Sequence, residues 1–208
     1  MKKGKGSLYL CILLALLLSL PTAAGALTNS FETASTSAEG SVWGNLGLSS
    51  RDDYFSLFVS GHYGYTEAVE LSARGGLLTV DRPKDDKTGV LLGVGGKMRA
   101  AIFGDPSYPE VALFASYDFG FADGKALHSL EGGVLASKNF MKEDGSLGIT
   151  PYGGPSIEVL GGSLSDDTDI NIHLTAGARI TFQSQFSLSL EAKVGGTSSY
   201  GISLNYQF

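Results

Sequence analysis

The sequence has 208 residues, with 15 Lys and Arg side chains against 21 Asp and Glu, a formal net charge of −6 at pH 7. This acidic balance excludes nucleic acid as a partner, because such binding needs clustered Lys and Arg to neutralise phosphates. The single cysteine, Cys11, excludes an intramolecular disulfide and any metal site built from several thiolates.

The N-terminus predicts a secretory signal peptide over residues 1–26. Three lysines at positions 2, 3 and 5 precede an apolar run at 8–20, and Ala24, Gly25 and Ala26 provide a small-x-small cleavage pattern. The run is shorter than the roughly 20 residues that a helix needs to span a bilayer. Because Cys11 lies inside it, we expect a mature chain without cysteine, with 12 basic and 21 acidic side chains and a net charge of −9.

The mature chain divides into a short lead-in and one β-domain. Residues 27–38 are small and polar apart from Phe31, and this composition predicts a periplasmic lead-in outside the domain. Residues 39–208 contain ten candidate strands, at 39–48, 54–63, 67–79, 88–102, 110–121, 127–139, 147–160, 169–182, 186–195 and 199–208. The 29 glycines are dispersed through these strands, where glycine marks bends or close backbone approach, and a small barrel needs such kinks to close.

Apolar and polar side chains alternate along each predicted strand, with the period of two that is typical of β-structure. In the second strand, for example, Phe55, Leu57 and Val59 share one face. Because the apolar residues alone define that face, the charged residues test the pattern, and only those near strand ends, such as Glu67 and Lys138, depart from it. The others fall on the opposite face, and we expect them to be barrel-interior charges: Glu70, Arg74, Lys97, Arg99, Glu110, Asp118, Glu131, Glu158, Arg179, Glu191 and Lys193.

The last 23 residues, 186–208, form two alternating strands around a Gly-Gly-Thr-Ser-Ser break, and the second strand ends on the terminal Phe208. This ending resembles the closing strand of bacterial outer-membrane β-barrel proteins, in which alternating aromatic or apolar residues finish on Phe. Tyr206 and Phe208 match that signal, whereas Ser203 stands where the family has glycine. The turn and strand at 64–76 are also similar to those of many small outer-membrane barrels.

The resemblance implies a closed antiparallel transmembrane β-barrel in the outer membrane of a Gram-negative bacterium. Its partners would be outer-membrane lipid and lipopolysaccharide, together with the barrel assembly machinery that reads Tyr206 and Phe208. We expect ten strands and a monomer; eight strands remain the alternative if two short segments merge or form loops.

A soluble β-barrel would alternate in the same way with its apolar face inward, so the alternation alone does not identify the inner face. Aromatic residues favour the membrane reading, because they gather near strand ends as in an interfacial girdle: Tyr54, Phe55, Tyr63, Tyr65, Phe119, Phe121, Tyr200, Tyr206 and Phe208. Acidic turn residues are assigned to the outer surface: Asp52, Asp53, Asp81, Asp85, Asp86, Asp123, Asp166 and Asp167. We interpret them as solvated turn residues and expect no metal site.

The interior charges are six acids and five bases, which indicates mutual pairing in a plugged interior or, alternatively, a narrow porin-like polar conduit. His62 and His173 face inward in different strands, and adjacent His128 and Ser129 point to opposite faces, so they do not form a catalytic pair. We expect neither a cofactor nor an enzyme activity. Three hypotheses remain: an outer-membrane barrel with a structural or small-solute role, a soluble periplasmic or secreted barrel that binds a small apolar ligand, and an outer-membrane enzyme acting on lipid or peptide.

Overall fold

The computed structural model describes residues 28–51, 54–81, 86–100, 108–142, 145–164, 168–182, 185–196 and 198–208. The predicted signal peptide lies outside these ranges, as do Asp52, Asp53, Asp85, Asp166 and Asp167 of the predicted acidic turns. Within the described ranges, no helix has the length and apolar character needed to cross a membrane.

The described residues form ten long strands and one strand of two residues. The strands are β1 (Val42–Arg51), β2 (Tyr54–Gly64), β3 (Val69–Val80), β4 (Lys87–Ala100), β5 (Glu110–Ala122), β6 (Lys125–Ser137), β7 (Phe140–Met141), β8 (Leu147–Gly161), β9 (Asp169–Phe182), β10 (Phe186–Gly195) and β11 (Ser199–Gln207).

The strands form one antiparallel sheet that closes on itself. The long strands pair with their neighbours in sequence, β1 pairs with β11, and the pairing of β6 with β8 completes the ring. The two-residue β7 pairs with the start of β8. The predicted ten-strand closed antiparallel barrel is therefore confirmed, and the eight-strand alternative is wrong.

The first strand differs most from its predicted position, since it begins at Val42 rather than at residue 39. Before it, the Ser41 amide donates to the Ala38 carbonyl at 3.0 Å, and Gly40 has a φ of +76°. That φ lies in the left-handed region, which glycine enters without steric cost. The turn delays the strand, which then continues through Arg51 into the segment predicted as a turn.

Both chain ends meet the barrel at the same rim. We call the rim where β1 begins and β11 ends the terminal mouth, and the opposite rim the distal mouth; Trp43 pairs with Gln207 at the former, and Arg51 with Ser199 at the latter. The mouths correspond to the predicted periplasmic and outer sides respectively.

The two faces of the sheet have opposite polarity. Apolar side chains of the outward face are largely exposed, for example Val59 at 60% and Ile170 at 73%. The inward face carries buried Ser, Thr, Asn and charged side chains, and Lys193 and Glu158 are completely buried. This is the arrangement of a barrel that meets an apolar surrounding and fills its lumen with polar groups.

Two apolar clusters lie inside the barrel. The one near the distal mouth is built by inward side chains of six strands together with Phe31: Phe58, Leu78, Val80, Leu91, Ala122, Leu127 and Leu160. The smaller one lies nearer the terminal mouth and contains Ala34, Ala112, Phe114, Leu135 and Tyr152. Phe31 and Ala34 both precede the first strand.

Residues 28–38 lie in the lumen, and we call them the plug. Residues 28–34 are buried, and exposure rises from 35 to 38 as the chain approaches the terminal mouth. The expectation of a lead-in outside the domain is therefore wrong for residues 28–34. The composition was misleading because small polar residues suit a polar lumen as well as they suit solvent.

Candidate functional site

Ion pairs occupy the distal half of the lumen. Lys193 Nζ lies 2.7 Å from Glu131 Oε2, and Arg74 Nε lies 3.4 Å from Asp118 Oδ1, with all four side chains almost completely buried. A buried charge without a partner costs several kcal/mol of stability, so each of these buried charges needs its partner.

Glu158 joins side chains from several strands. Its Oε1 accepts a hydrogen bond from Ser129 Oγ at 2.5 Å and lies 3.9 Å from Arg51 Nη1, while Oε2 lies 3.3 Å from His173 Nε2. Arg51 comes from β1 and reaches Glu158 across the lumen. Side chains alone therefore bridge the distal half of the barrel.

The plug begins among these pairs. Thr28 Oγ1 donates to Asp118 Oδ2 at 2.7 Å and accepts from Arg74 Nη1 at 2.6 Å. The Thr28 carbonyl also accepts from Lys193 Nζ at 3.3 Å. The plug thus enters the same hydrogen-bond network that pairs the strand charges.

Strand side chains hold the middle of the plug by its main chain. The amides of Ser30 and Phe31 donate to the two carboxylate oxygens of Glu191, at 3.1 and 2.8 Å. The Phe31 carbonyl accepts from Arg179 Nη2 at 2.7 Å. Glu191 and Arg179 carry opposite charge, and main-chain groups of the plug complement both.

Nearer the terminal mouth, Lys97 is shared between the plug and the wall. Its Nζ donates to the Thr33 carbonyl at 3.0 Å and lies 3.8 Å from Glu32 Oε2 and 3.2 Å from Glu70 Oε1. Glu70 Oε2 accepts from the Ser37 amide at 2.9 Å. The plug is therefore bound along its whole length.

Phe31 anchors the plug in a slot of the barrel wall. It is completely buried, stacks against Phe58 with ring centroids 6.1 Å apart, and has a φ of +54°. A Cβ at Gly47 would lie 3.1 Å from the Phe31 ring, and one at Gly201 would overlap it. Glycine at these two wall positions therefore creates the space that the ring occupies.

Ser60, His62 and Glu70 form a chain of contacts like that of a hydrolytic triad. Ser60 Oγ lies 3.1 Å from His62 Nε2, and His62 Nδ1 lies 3.3 Å from Glu70 Oε1. Ser60 Oγ is also hydrogen-bonded to Asn45 at 2.8 Å, and the Trp43 ring stacks on His62 with centroids 3.6 Å apart. A hydrolytic triad needs space for a substrate carbonyl next to the nucleophile, and here Asn45 and the Trp43 ring lie next to Ser60 and His62.

A cavity of about 310 Å³ opens at the terminal mouth, and we call it the vestibule. Plug residues 33 and 35–38 form one side; Arg179, Lys97, Trp43 and Asn205 contribute to the other. The Arg179 guanidinium lies 5.0 Å from the Trp43 ring centroid. The vestibule therefore offers hydroxyl, amide and cationic groups to a small polar molecule.

The predicted interior charges lie at different depths in the lumen. Eight are buried in the lumen: Glu70, Arg74, Lys97, Asp118, Glu131, Glu158, Glu191 and Lys193. Arg179 is half-buried beside the vestibule. Arg99 and Glu110 form an ion pair of 3.8 Å at the terminal mouth, where their side chains are 37% and 44% exposed.

The sequence reasoning missed several lumen residues. Arg51 was assigned to a turn, although polar Asn45 and Ser49 share its parity and could have extended the strand. The Ser60 and His62 pair also has the one-residue separation that puts both side chains on one face, unlike the adjacent His128 and Ser129. Nothing in the sequence indicated that Glu32 lies in the lumen, because this residue precedes every segment with alternating polarity.

The closing strand ends in an aromatic cluster on the outward face. Tyr206 packs against Phe186 and Phe208, with ring centroids 4.9 Å apart in both pairs. The Phe208 amide donates to the Val42 carbonyl at 3.1 Å, and its side chain is 75% exposed. The predicted assembly signal is thus accessible to a partner.

No family model matches the chain, and no curated protein sequence matches it. Among solved structures, the chain is similar to the β domain of the Bordetella autotransporter BrkA, with 11% identity, a TM-score of 0.51, and coverage of 82% of this chain and 100% of that one. A weaker match is the N-terminal β-barrel domain of Pseudomonas aeruginosa OprF, with 16% identity, a TM-score of 0.37, and coverage of 83% of this chain and 100% of that one. Another is a de novo designed transmembrane β-barrel, with 13% identity, a TM-score of 0.36, and coverage of 83% of this chain and 99% of that one. The first match shows the fold: the chain has the closed antiparallel β-barrel architecture of outer-membrane proteins, as its closing strand predicted.

Proposed function

We propose that this chain is an integral outer-membrane protein whose lumen is closed by paired charges and by its own plug, and that its role in the membrane is structural. The observation that carries the proposal is the plug itself: residues 28–34 are buried in the lumen and hydrogen-bonded to its walls. An open pore needs a continuous polar path, and here main chain and side chains fill it.

The exposed apolar outer face supports insertion in a lipid bilayer. A soluble protein rarely exposes a contiguous apolar patch larger than a few hundred Å², whereas a membrane barrel needs an apolar band around its whole circumference. The soluble-barrel alternative requires the apolar face to be inward, and the outward positions of Val59, Leu92 and Ile170 oppose it.

Membrane placement and closure are tested separately. We expect heat-modifiable migration on gels and a sarkosyl-insoluble fraction, and a mature N-terminus at Leu27. Protein that stays soluble without detergent after signal cleavage would contradict membrane insertion.

Conductance tests whether the lumen is closed. Protein reconstituted in planar bilayers and verified as inserted should give no steady conductance; a stable open channel would contradict the structural role.

A second candidate is the binding of a small polar solute in the vestibule, favoured by its volume of about 310 Å³ and by the Arg179 guanidinium in its wall. Saturable binding of a small carboxylate or sugar, lost in Arg179→Met, would support this function. Binding that Arg179→Met leaves unchanged would exclude the vestibule as its site.

We propose no catalytic role, because Asn45 and the Trp43 ring lie against Ser60 and His62, where a substrate of a Ser60, His62 and Glu70 triad would have to bind. Any hydrolytic activity of the purified barrel should therefore persist when His62, His128 and His173 are each replaced by Ala. Loss of an activity in His62→Ala alone, with the fold intact, would contradict this.

A further inference from the structure

The lumen hydrogen-bonds to main-chain groups of the plug, as peptide-binding proteins do with their ligands. Carboxylate oxygens accept from plug amides, at Glu191 for Ser30 and Phe31 and at Glu70 for Ser37. Every polypeptide presents such amides, whatever its side chains.

Cationic side chains bind the plug carbonyls in the same way. Arg179 donates to the carbonyl of Phe31, and Lys97 donates to that of Thr33. Recognition through main-chain groups gives affinity with little dependence on sequence, and pockets for particular side chains add the specificity.

Side chains of the plug supply that specificity: Thr28 binds Asp118 and Arg74 through its hydroxyl, and the two larger side chains, Phe31 and Glu32, have places of their own. Phe31 fills the slot beside Gly47 and Gly201, and Glu32 lies 3.8 Å from Lys97 Nζ. The remaining side chains of the plug are small: Thr, Asn, Ser and Ala. The lumen therefore recognises an aromatic residue followed by a carboxylate, embedded in a chain of small residues.

The vestibule gives this binding site an opening to solvent. Plug residues 35–38 are only partly covered, and the vestibule lies directly beside them at the terminal mouth. A second peptide can therefore begin to bind there while the buried part of the plug withdraws.

We propose that the lumen is a peptide-binding site that takes an irregular peptide with an aromatic-acidic pair, and that residues 28–38 are its resident ligand. The proposal rests on the proposed function, in which the plug closes the barrel, and goes beyond it because the plug becomes exchangeable for another peptide of the same chemistry.

The test uses a barrel that lacks residues 28–38, folded in detergent and checked by heat-modifiable migration. Its binding to a synthetic peptide of residues 28–38, labelled at the C-terminal end, is measured by fluorescence anisotropy. A second peptide keeps Thr28, Phe31 and Glu32 in place and reorders the other small residues, and a third carries Phe31→Ala. We expect the reordered peptide to bind within about tenfold of the native one, because main-chain hydrogen bonds are retained. The Phe31→Ala peptide should bind about 100-fold more weakly, because the slot is left empty.

Failure of the native peptide to bind the folded barrel overturns the proposal, as does a reordered peptide as weak as Phe31→Ala. If the shortened barrel does not fold, the same reordering is made in the full chain. Protease resistance of the plug should then match that of the unchanged chain, and cleavage within residues 28–34 overturns the proposal. Neither result alters the conductance test of closure, so the two proposals can fail independently.

Discussion

The two halves of the lumen are filled in different ways. Near the distal mouth, side chains of the strands meet each other: Leu78, Leu91 and Leu127 are completely buried, and Lys193 pairs with Glu131. Nearer the terminal mouth, plug residues 33–37 lie between the strands and bind their side chains, among them Glu70, Lys97 and Ser137.

Small side chains in the wall create the space for the plug. Phe31 lies against Gly47 and Gly201; Ser203 pairs with Gly47, and Ser189 pairs with Ser203 in the register. Side chains nearly fill a barrel of eight strands, and a ten-strand barrel is wider, so small wall residues leave a void that something must fill. The plug fills it, and its main chain supplies partners to charges that would otherwise be buried alone.

The largest effect should come from breaking a distal pair. Lys193→Met keeps the side-chain volume but leaves Glu131 buried without its partner at 2.7 Å, and we expect a loss of about 4 kcal/mol in the free energy of unfolding. Urea titration of the barrel in lipid vesicles measures it. Arg99→Met is the matched control, because its pair with Glu110 is partly exposed, and it should cost less than about 1 kcal/mol. Equal losses in the two variants would mean that the distal charges are not buried as described.

Emptying the Phe31 slot should have the next largest effect. Phe31→Ala removes the ring held by Phe58, Gly47 and Gly201, and a loss of about 3 kcal/mol follows from the cavity. Limited proteolysis should then cut within residues 28–34, which the intact barrel protects. Phe55→Ala, on the outward face, should leave the plug protected. A plug that remains protected without Phe31 would show that the ring is not its anchor.

The comparison of the two halves of the lumen assumes that lipid surrounds the barrel. A charged side chain introduced on the outward face tests that assumption. Val59→Arg places a charge in the middle of β2 on the outward face, and it should cost about 2 kcal/mol or more in vesicles. Tyr63→Arg, on the same face near the end of that strand, should cost less than about 1 kcal/mol. Similar costs at the two positions would indicate that both face water.

The smallest effect on stability should come from the closing residue. Phe208→Ser removes a ring that is 75% exposed and contacts Tyr206, so the free energy of unfolding should change by less than about 1 kcal/mol. We expect the yield of inserted protein in cells to fall, because the resemblance assigns Phe208 to the assembly signal. Normal yield would contradict that assignment.

The sequence predicted the strands and their two faces because both depend on local alternation. Ten of the ten long strands overlap their predicted ranges, and charges such as Glu131 and Glu158 were assigned to the interior from parity alone. Alternation also predicted that the interior charges need partners, without saying which side chains meet.

The plug could not be predicted in this way. Residues 28–38 have no period, and their contacts with Glu191, Arg179 and Lys97 join positions far apart in the chain. The small wall residues that admit Phe31 were visible as glycines, but glycine in a strand equally indicates a bend. Only the closed barrel brings positions 47 and 201 together.

The accessibility of the plug tests the central claim most directly. In a Cys11→Ser background the chain has no other cysteine, so Ser30→Cys and Ala38→Cys can each be labelled alone with a maleimide in the purified barrel. Ser30 is buried against Glu191, whereas Ala38 is exposed at the terminal mouth. The account predicts rapid labelling at position 38 and labelling at position 30 only after denaturation. Equally rapid labelling at both positions in the folded barrel would contradict it.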